Sequence, residues 1–146
     1  MTEKDHFSLQ GFLPFLLNRA SEESSLAFQQ NYKDRYGMLR TEWRVLFHLG
    51  IYGRMTAKDI GERANIHKTK ISRAVTKLEQ RRFVSRKRDE TDRRSEHLTL
   101  TQAGQTAYRD LRQVALDYDK RLAAQFNPED VQLLRRMLRK LAQMEG

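Results

Sequence analysis

Cysteine is absent from the 146-residue chain. That removes disulfide staples, thiolate nucleophiles, iron–sulfur ligands and thiol redox sensors from consideration. Proline occurs only twice, which leaves long stretches free to be helical. No apolar run approaches the ~18 residues a membrane span needs. The N-terminus, Met1-Thr-Glu-Lys-Asp-His6, lacks the basic-then-apolar pattern of a signal peptide, so a cytoplasmic protein with no membrane partner is expected. Catalytic signatures are missing too. His6, His48, His67 and His97 fall in separate elements without metal-ligand spacing. No glycine-rich phosphate loop is present, and no serine sits in a nucleophile-elbow context. The expectation is a non-enzyme with no catalytic residue, no metal and no cofactor.

What remains is charge, distributed unevenly. The chain has 28 Lys and Arg against 19 Asp and Glu, a formal net charge of +9. From Arg54 to Arg94 there are 14 basic and 6 acidic side chains, so this central segment holds nearly the whole excess. A merely solubilising surface needs no such localisation, whereas a polyanion-binding face does. The segment's only aromatic is Phe83, so the stacked rings that grip single-stranded bases are lacking. Double-stranded DNA is the expected partner.

Hydrophobic periodicity gives the elements. Phe12, Phe15, Leu16, Ala20, Ala27, Phe28 and Tyr32 recur at mostly three- and four-residue steps, predicting a helix from about Leu13 to Tyr36 that stops at Gly37. Thr41 is read as the N-cap of a second helix, with Trp43, Leu46, Phe47 and Ile51 facing inward. Thr56 caps a third, ending near Asn65, and a fourth spans about 68–82. In that fourth helix Ile71, Ala74, Val75 and Leu78 form one face and Lys68, Thr69, Lys70, Ser72, Arg73, Thr76 and Lys77 the other. Two short helices so close together make a helix-turn-helix. The period then changes to two. Val84–Arg88 and His97–Thr101 are strand candidates joined by a polar tip that includes Asp92, Arg93 and Arg94. Thr101 caps a long fifth helix whose seam runs Ala107, Leu111, Val114, Ala115, Tyr118, Leu122 and Phe126. Asn127-Pro128-Glu129-Asp130 starts a sixth, carrying Leu134, Met137, Leu138, Leu141 and Met144 at heptad-like spacing.

Chemistry follows from that layout. The first turn of the fourth helix aims free N–H groups at a phosphate, and an arginine fork is the best single reader of guanine. Lys68, Thr69, Lys70, Ser72, Arg73 and Lys77 are therefore the candidate DNA contacts. Arg93 and Arg94, on a narrow ribbon, are sized for a minor groove, with Asp92 orienting an arginine. Phe12, Leu134, Met137, Leu138 and Leu141 want a surface to cover them: an intramolecular hairpin or, more simply, a second copy of the chain.

The succession Thr41-Glu-Trp-Arg-Val-Leu46, Ala57-Lys-Asp-Ile-Gly-Glu-Arg-Ala64, Lys70-Ile-Ser-Arg-Ala-Val-Thr-Lys-Leu-Glu79, Asp92-Arg-Arg94 and Leu98-Thr-Leu-Thr-Gln-Ala-Gly104 resembles the MarR family of winged helix-turn-helix transcriptional regulators. The resemblance covers nearly the whole chain. It implies a mainly α fold with a small β-hairpin wing: a DNA-binding lobe over 41–101, its wing about 84–101, and dimerisation helices at 7–36 and 102–146. It further implies a homodimer on a palindromic operator, most often a repressor, released by a small aromatic or phenolic ligand. By position, Ser72 and Arg73 match the recognition signature, and Asp92, Arg93 and Arg94 the wing tip. The stretches where such a ligand sits contain Phe15, Leu16, Arg19, Trp43, Phe47 and His48, although Trp43 and Phe47 also lie on the core face of their helix and fit core packing better. A non-specific architectural binder and an anti-repressor that has lost DNA binding are the competing readings.

Overall fold

A computed structural model describes residues 6–88, 90–91 and 96–144. A 3₁₀ turn (Leu9–Gly11) leads into α1 (Leu13–Tyr36), followed by α2 (Arg40–Tyr52), β1 (Met55–Thr56), α3 (Ala57–Ala64), α4 (Lys68–Gln80), β2 (Val84–Arg88), β3 (Glu96–Leu100), α5 (Gln102–Ala123) and α6 (Pro128–Leu141). The fold is mainly helical, as expected, and the predicted α1 matches residue for residue. The hairpin gains a strand, however. Met55 and Thr56 pair with Leu98 and His97, giving an antiparallel sheet of order β1-β3-β2. Two residues are too short to show a period, so nothing in the pattern announced β1.

Caps explain most boundaries. Thr56 Oγ1 accepts from the Asp59 backbone N–H at 3.1 Å, Thr101 Oγ1 from Gly104, and Asn127 Oδ1 from Asp130 at 2.8 Å. Asn65 takes the left-handed conformation between α3 and α4 at φ 54°. The second helix departs from expectation. It starts at Arg40 with Leu39 at the N-cap and no side-chain cap, so Thr41 lies inside it. The fourth stops at Gln80 rather than 82. Arg82 sits at φ 66°, and the Phe83 N–H closes back on the Leu78 carbonyl at 2.9 Å, a turn that ends a helix.

The core lies beneath the helix-turn-helix. Val45, Leu46 and Leu49 of α2, Ile60 of α3, Ile71, Val75 and Leu78 of α4, Val84, Leu98, and Leu111 of α5 are all buried. Ile51, expected inward, is 57% exposed at the last turn of α2, and Phe126 is 53% exposed because α5 ends before reaching it. Against this core packs a chain of rings: Phe28 with Trp43 at 5.2 Å, Trp43 with Phe47 at 5.1 Å, and Phe47 with Tyr108 at 5.3 Å. Edge-to-face pairs of this kind hold α1, α2 and α5 in one angular relation.

Polar clasps reinforce the same junction. Arg35 Nη1 meets Asp110 Oδ1 at 2.9 Å, and the Tyr36 hydroxyl donates to Asp110 Oδ2 at 2.7 Å. Burial, then the hydrogen bond to Asp110, pushes the Tyr36 phenol up to about 12. That hydrogen bond, then Arg35, holds the Asp110 carboxyl below its ordinary value. The signs bracket a stable window. Tyr36 contributes fully below its ordinary value of 10 and loses that contribution as pH climbs through about 12. Asp110 contributes above the ordinary carboxylate range and loses it as pH falls through its lowered value. Tyr36→Phe is therefore expected to cost about 1–2 kcal/mol near neutral pH. It should also flatten the loss of stability between pH 10 and about 12 in urea melts. An unchanged alkaline limb would assign that loss to other groups.

Candidate nucleic-acid interface

The candidate interface is built on α4. Its buried residues, Ile71, Ala74, Val75 and Leu78, fall on one face. Every polar residue of its other face, Lys68, Thr69, Lys70, Ser72, Arg73, Thr76 and Lys77, is exposed. Burial of four apolar positions at three- and four-residue steps thus fixes which way the hydroxyls and cations point. The helix begins at His67, whose ring Nδ1 accepts from the Thr69 backbone N–H at 3.2 Å. No aspartate or glutamate occupies the first turn of α4. Its dipole therefore presents unopposed positive potential.

Alongside α4 runs a groove of about 620 Å³ shared with the start of α2. Lys70, Ser72, Arg73, Thr76 and Lys77 line one wall, and Leu39, Thr41 and Glu42 the other. Glu42 is only 3% exposed, so almost none of its surface is offered to a partner in the groove. Of the predicted contacts, Lys68, Thr69, Lys70, Ser72, Arg73 and Lys77 all occur on this one helix face. Asp92, Arg93 and Arg94 lie outside the described residues.

Two arginines clasp the ends of helices around the helix-turn-helix, and neither was singled out from sequence. Arg44 of α2 donates to the Ala64 carbonyl at 3.2 Å, so it caps the end of α3 at the turn between the two helices. Burial, then the neighbouring Arg40, lowers its pKa. Arg81, just past α4, donates to the Tyr36 carbonyl at the end of α1. Gly37 makes that contact feasible. Its φ of 63° is left-handed, and a Cβ there would run into the Arg81 guanidinium. The end of α1 and the end of α4 are thereby coupled.

The residues expected around a ligand are not gathered into one cavity. Trp43 lines a cavity of about 350 Å³ with Phe28, Tyr32, Arg40, Arg44 and Tyr118. Phe47 belongs to the ring chain, and His48 Nδ1 contacts the Arg44 carbonyl at 2.6 Å. Phe15, Leu16 and Arg19 sit near the outer end of α1, and Leu16 and Arg19 are exposed. Arg40 and Arg44, four apart on α2, were the missed signal: that spacing puts two cations on one helix face. Phe12, Leu134, Met137, Leu138 and Leu141 are each more than one-third exposed in the single chain. Among the described residues no His, Asp and Glu cluster suits a metal ion, and no helix is long and apolar enough to cross a membrane.

Comparison with known proteins agrees with this geometry. The MarR family model matches residues 36–95, from the end of α1 through the helix-turn-helix and β2, ending just before β3. The uncharacterized HTH-type transcriptional regulator YwoH of Bacillus subtilis is 28% identical over 108 residues, covering 74% of this chain and 78% of the relative. Among solved structures, Bordetella bronchiseptica BpsR, described for regulation of its DNA binding by 6-hydroxynicotinic acid, superposes with a TM-score of 0.86 at 21% identity. The match covers 97% of this chain and 100% of that one. The S. aureus MepR–DNA complex gives a TM-score of 0.81 at 18% identity, covering 90% and 97% of the two chains. These are regulators rather than enzymes. The helix-turn-helix, the three-stranded sheet and the family-model match at residues 36–95 fall in the same order along the sequence, so over this segment the chain is similar to the MarR family of transcriptional regulators.

Proposed function

We propose that the chain works in the cytoplasm as a homodimeric repressor, gripping a palindromic operator with α4 in the major groove and releasing it when a small aromatic acid binds. The observation that carries the DNA reading is the face of α4. Three cations and three hydroxyls stand exposed over two turns beyond the first residue, on a helix whose apolar side is wholly buried. MepR, of the same fold, was solved on DNA. Resting on the same reading, Lys68 and Lys77 serve backbone phosphates and Arg73 serves a base edge. Arg93, Arg94 and Asp92 serve the wing contact.

Support for a dimer comes from α6. Not one of its residues is buried by the rest of the chain. An aliphatic strip left open in this way needs a covering surface, and a two-fold copy supplies it while presenting two recognition helices ~34 Å apart. Support for the effector comes from the 350 Å³ cavity. Trp43, Phe28 and Tyr118 offer ring faces, and Arg40 and Arg44 offer guanidinium groups to a carboxylate. A cavity of this size suits a single-ring ligand. BpsR responds to such a compound. A ligand seated between α1, α2 and α5 would shift the angle that the ring chain holds.

The test is selection of duplexes from a random-sequence pool by the purified chain, followed by titration of the winner against a scrambled duplex at two salt concentrations. A palindromic winner, preferred by ~10³-fold or more with a steep salt slope, is expected. Adding a hydroxylated aromatic acid should then release it. Equal affinity for both duplexes would favour the architectural reading, and no binding the anti-repressor reading.

A further inference from the structure

At the root of the wing the inward face of the ribbon changes character. Val84 on β2 and Leu98 on β3 are buried in the core. The next inward positions toward the tip are Arg86 and Glu96. Arg86 does not end in solvent. Its Nη1 meets Glu96 Oε2 at 3.2 Å across the ribbon, its Nε meets Glu79 Oε1 at 3.2 Å, and its Nη2 meets Thr76 Oγ1 at 3.0 Å. Thr76 and Glu79 are one turn apart on α4. All three guanidinium nitrogens are thus committed, two to the recognition helix and one to the opposite strand. Beyond Arg86, Arg88 adds a longer contact to Glu96 at 3.6 Å.

We infer that Arg86 is a positioning residue for DNA recognition: its three-way fork sets the angle of the wing to α4, so that helix and ribbon meet the duplex as one rigid unit. The inference rests on the DNA-binding reading above. Geometry favours it over two simpler roles. A phosphate contact is best made by an arginine whose fork is unclaimed, whereas Arg86 is 30% exposed and three of its five N–H groups are already held by protein partners. A purely stabilising role is weak, because ion pairs this close to solvent add little to folding stability. What a planar fork with three fixed partners does supply is direction. A lysine in its place offers a point charge that cannot reach along all three lines at once.

Acidic partners make the test sharp in sign. Glu79→Gln and Glu96→Gln each add one unit of positive charge near a DNA-facing surface. Electrostatics alone predicts that both variants bind every duplex more tightly. Positioning predicts the opposite for the selected duplex: about tenfold weaker binding, with scrambled duplex unchanged or tighter. Arg86→Lys, which keeps the charge, should show the same tenfold loss of preference. Hydroxyl-radical protection should fade at the outer edges of the footprint, where the wing lies, and persist at its major-groove centre. Thermal melting should stay close to the parent's, which separates misdirection from unfolding. If the parent chain discriminates between duplexes, yet Glu79→Gln and Glu96→Gln tighten on both alike, the positioning role is overturned and DNA recognition stands. If Arg86→Lys melts far below the parent and loses the whole footprint evenly, the residue is structural instead. If the parent itself shows no preference, the functional reading falls, and the positioning role falls with it.

Discussion

Aspartate at positions 134 and 138 together is expected to turn the protein into a monomer that no longer shifts its operator duplex at concentrations where the parent is saturated. Leu134 and Leu138 lie one turn apart on α6, and both are exposed in the single chain. Together with Leu17, Ala20, Leu122 and Leu141 they line a cleft of about 620 Å³ between α1, α5 and α6. Among the described residues, every exposed large hydrophobic except Leu39, Ile51 and Tyr52 lies in α1, α5, α6 or the segments flanking them. Each leucine buried at an interface contributes about 1.5–3 kcal/mol, and two-fold symmetry counts it twice. Replacement by a carboxylate adds a desolvation cost on top. Two leucines in two copies, each only about 40% exposed before association, therefore oppose it by roughly 2–5 kcal/mol before that cost, about thirtyfold to several-thousandfold in dimer affinity. Half-site binding then loses the advantage of tethering, commonly 10²–10⁴-fold. Because α6 contains no buried residue, the variant keeps the core beneath the helix-turn-helix and stays helical by circular dichroism. Sedimentation velocity and a mobility shift on the same samples decide the matter. A dimer that still binds would move the interface off α6.

How the sequence could be read depended on how many residues voted for each feature. Helix α1 has six apolar positions in register, a seventh at its N-cap, and a proline and a glycine at its ends, and its limits came out to the residue. Helix α4 needed only four apolar positions, because a polar face of seven residues pointed the same way. Strand β1 offers two residues and no alternation, so it is defined only by its pairing with Leu98 and His97. The start of α2 misled for a different reason. Thr41 is a good N-cap type, but Met38 is completely buried and draws the preceding chain inward, so the helix begins before the threonine is reached. At the candidate site, the exposed polar face of α4 follows from periodicity alone. Arg44, Arg81 and Arg86 do not, since their roles consist of long-range hydrogen bonds to Ala64, Tyr36 and the Thr76–Glu79 turn. Surface arginines look alike in a sequence, and only the fold distinguishes those that clasp an element from those left free.

Arg73 is of the free kind, and Arg73→Ala is expected to have the largest single-residue effect on recognition. It is exposed, it lines the groove beside Lys70 and Lys77, and it makes no hydrogen bond or ion pair with a described residue. Among the described residues nothing holds it by a hydrogen bond or ion pair, so its removal is expected to leave folding stability within about 0.5 kcal/mol of the parent. On DNA the account differs. A bidentate arginine–guanine pair is worth about 1–3 kcal/mol of discrimination, and a symmetric dimer makes it in both half-sites. The loss on the selected duplex is then roughly 2–6 kcal/mol, or about thirtyfold to twenty-thousandfold, while scrambled duplex changes little. Lys77→Ala should behave otherwise. A phosphate contact carries no sequence information, so both duplexes weaken alike and the salt slope drops by about two for the dimer. Arg73→Lys separates charge from geometry. It keeps the cation but lacks the fork, so general affinity returns and the preference for the guanine position does not. Equal losses on selected and scrambled duplexes for Arg73→Ala would assign that residue to the backbone and pass base reading to Ser72, Thr69 or Lys70 on the same face of α4.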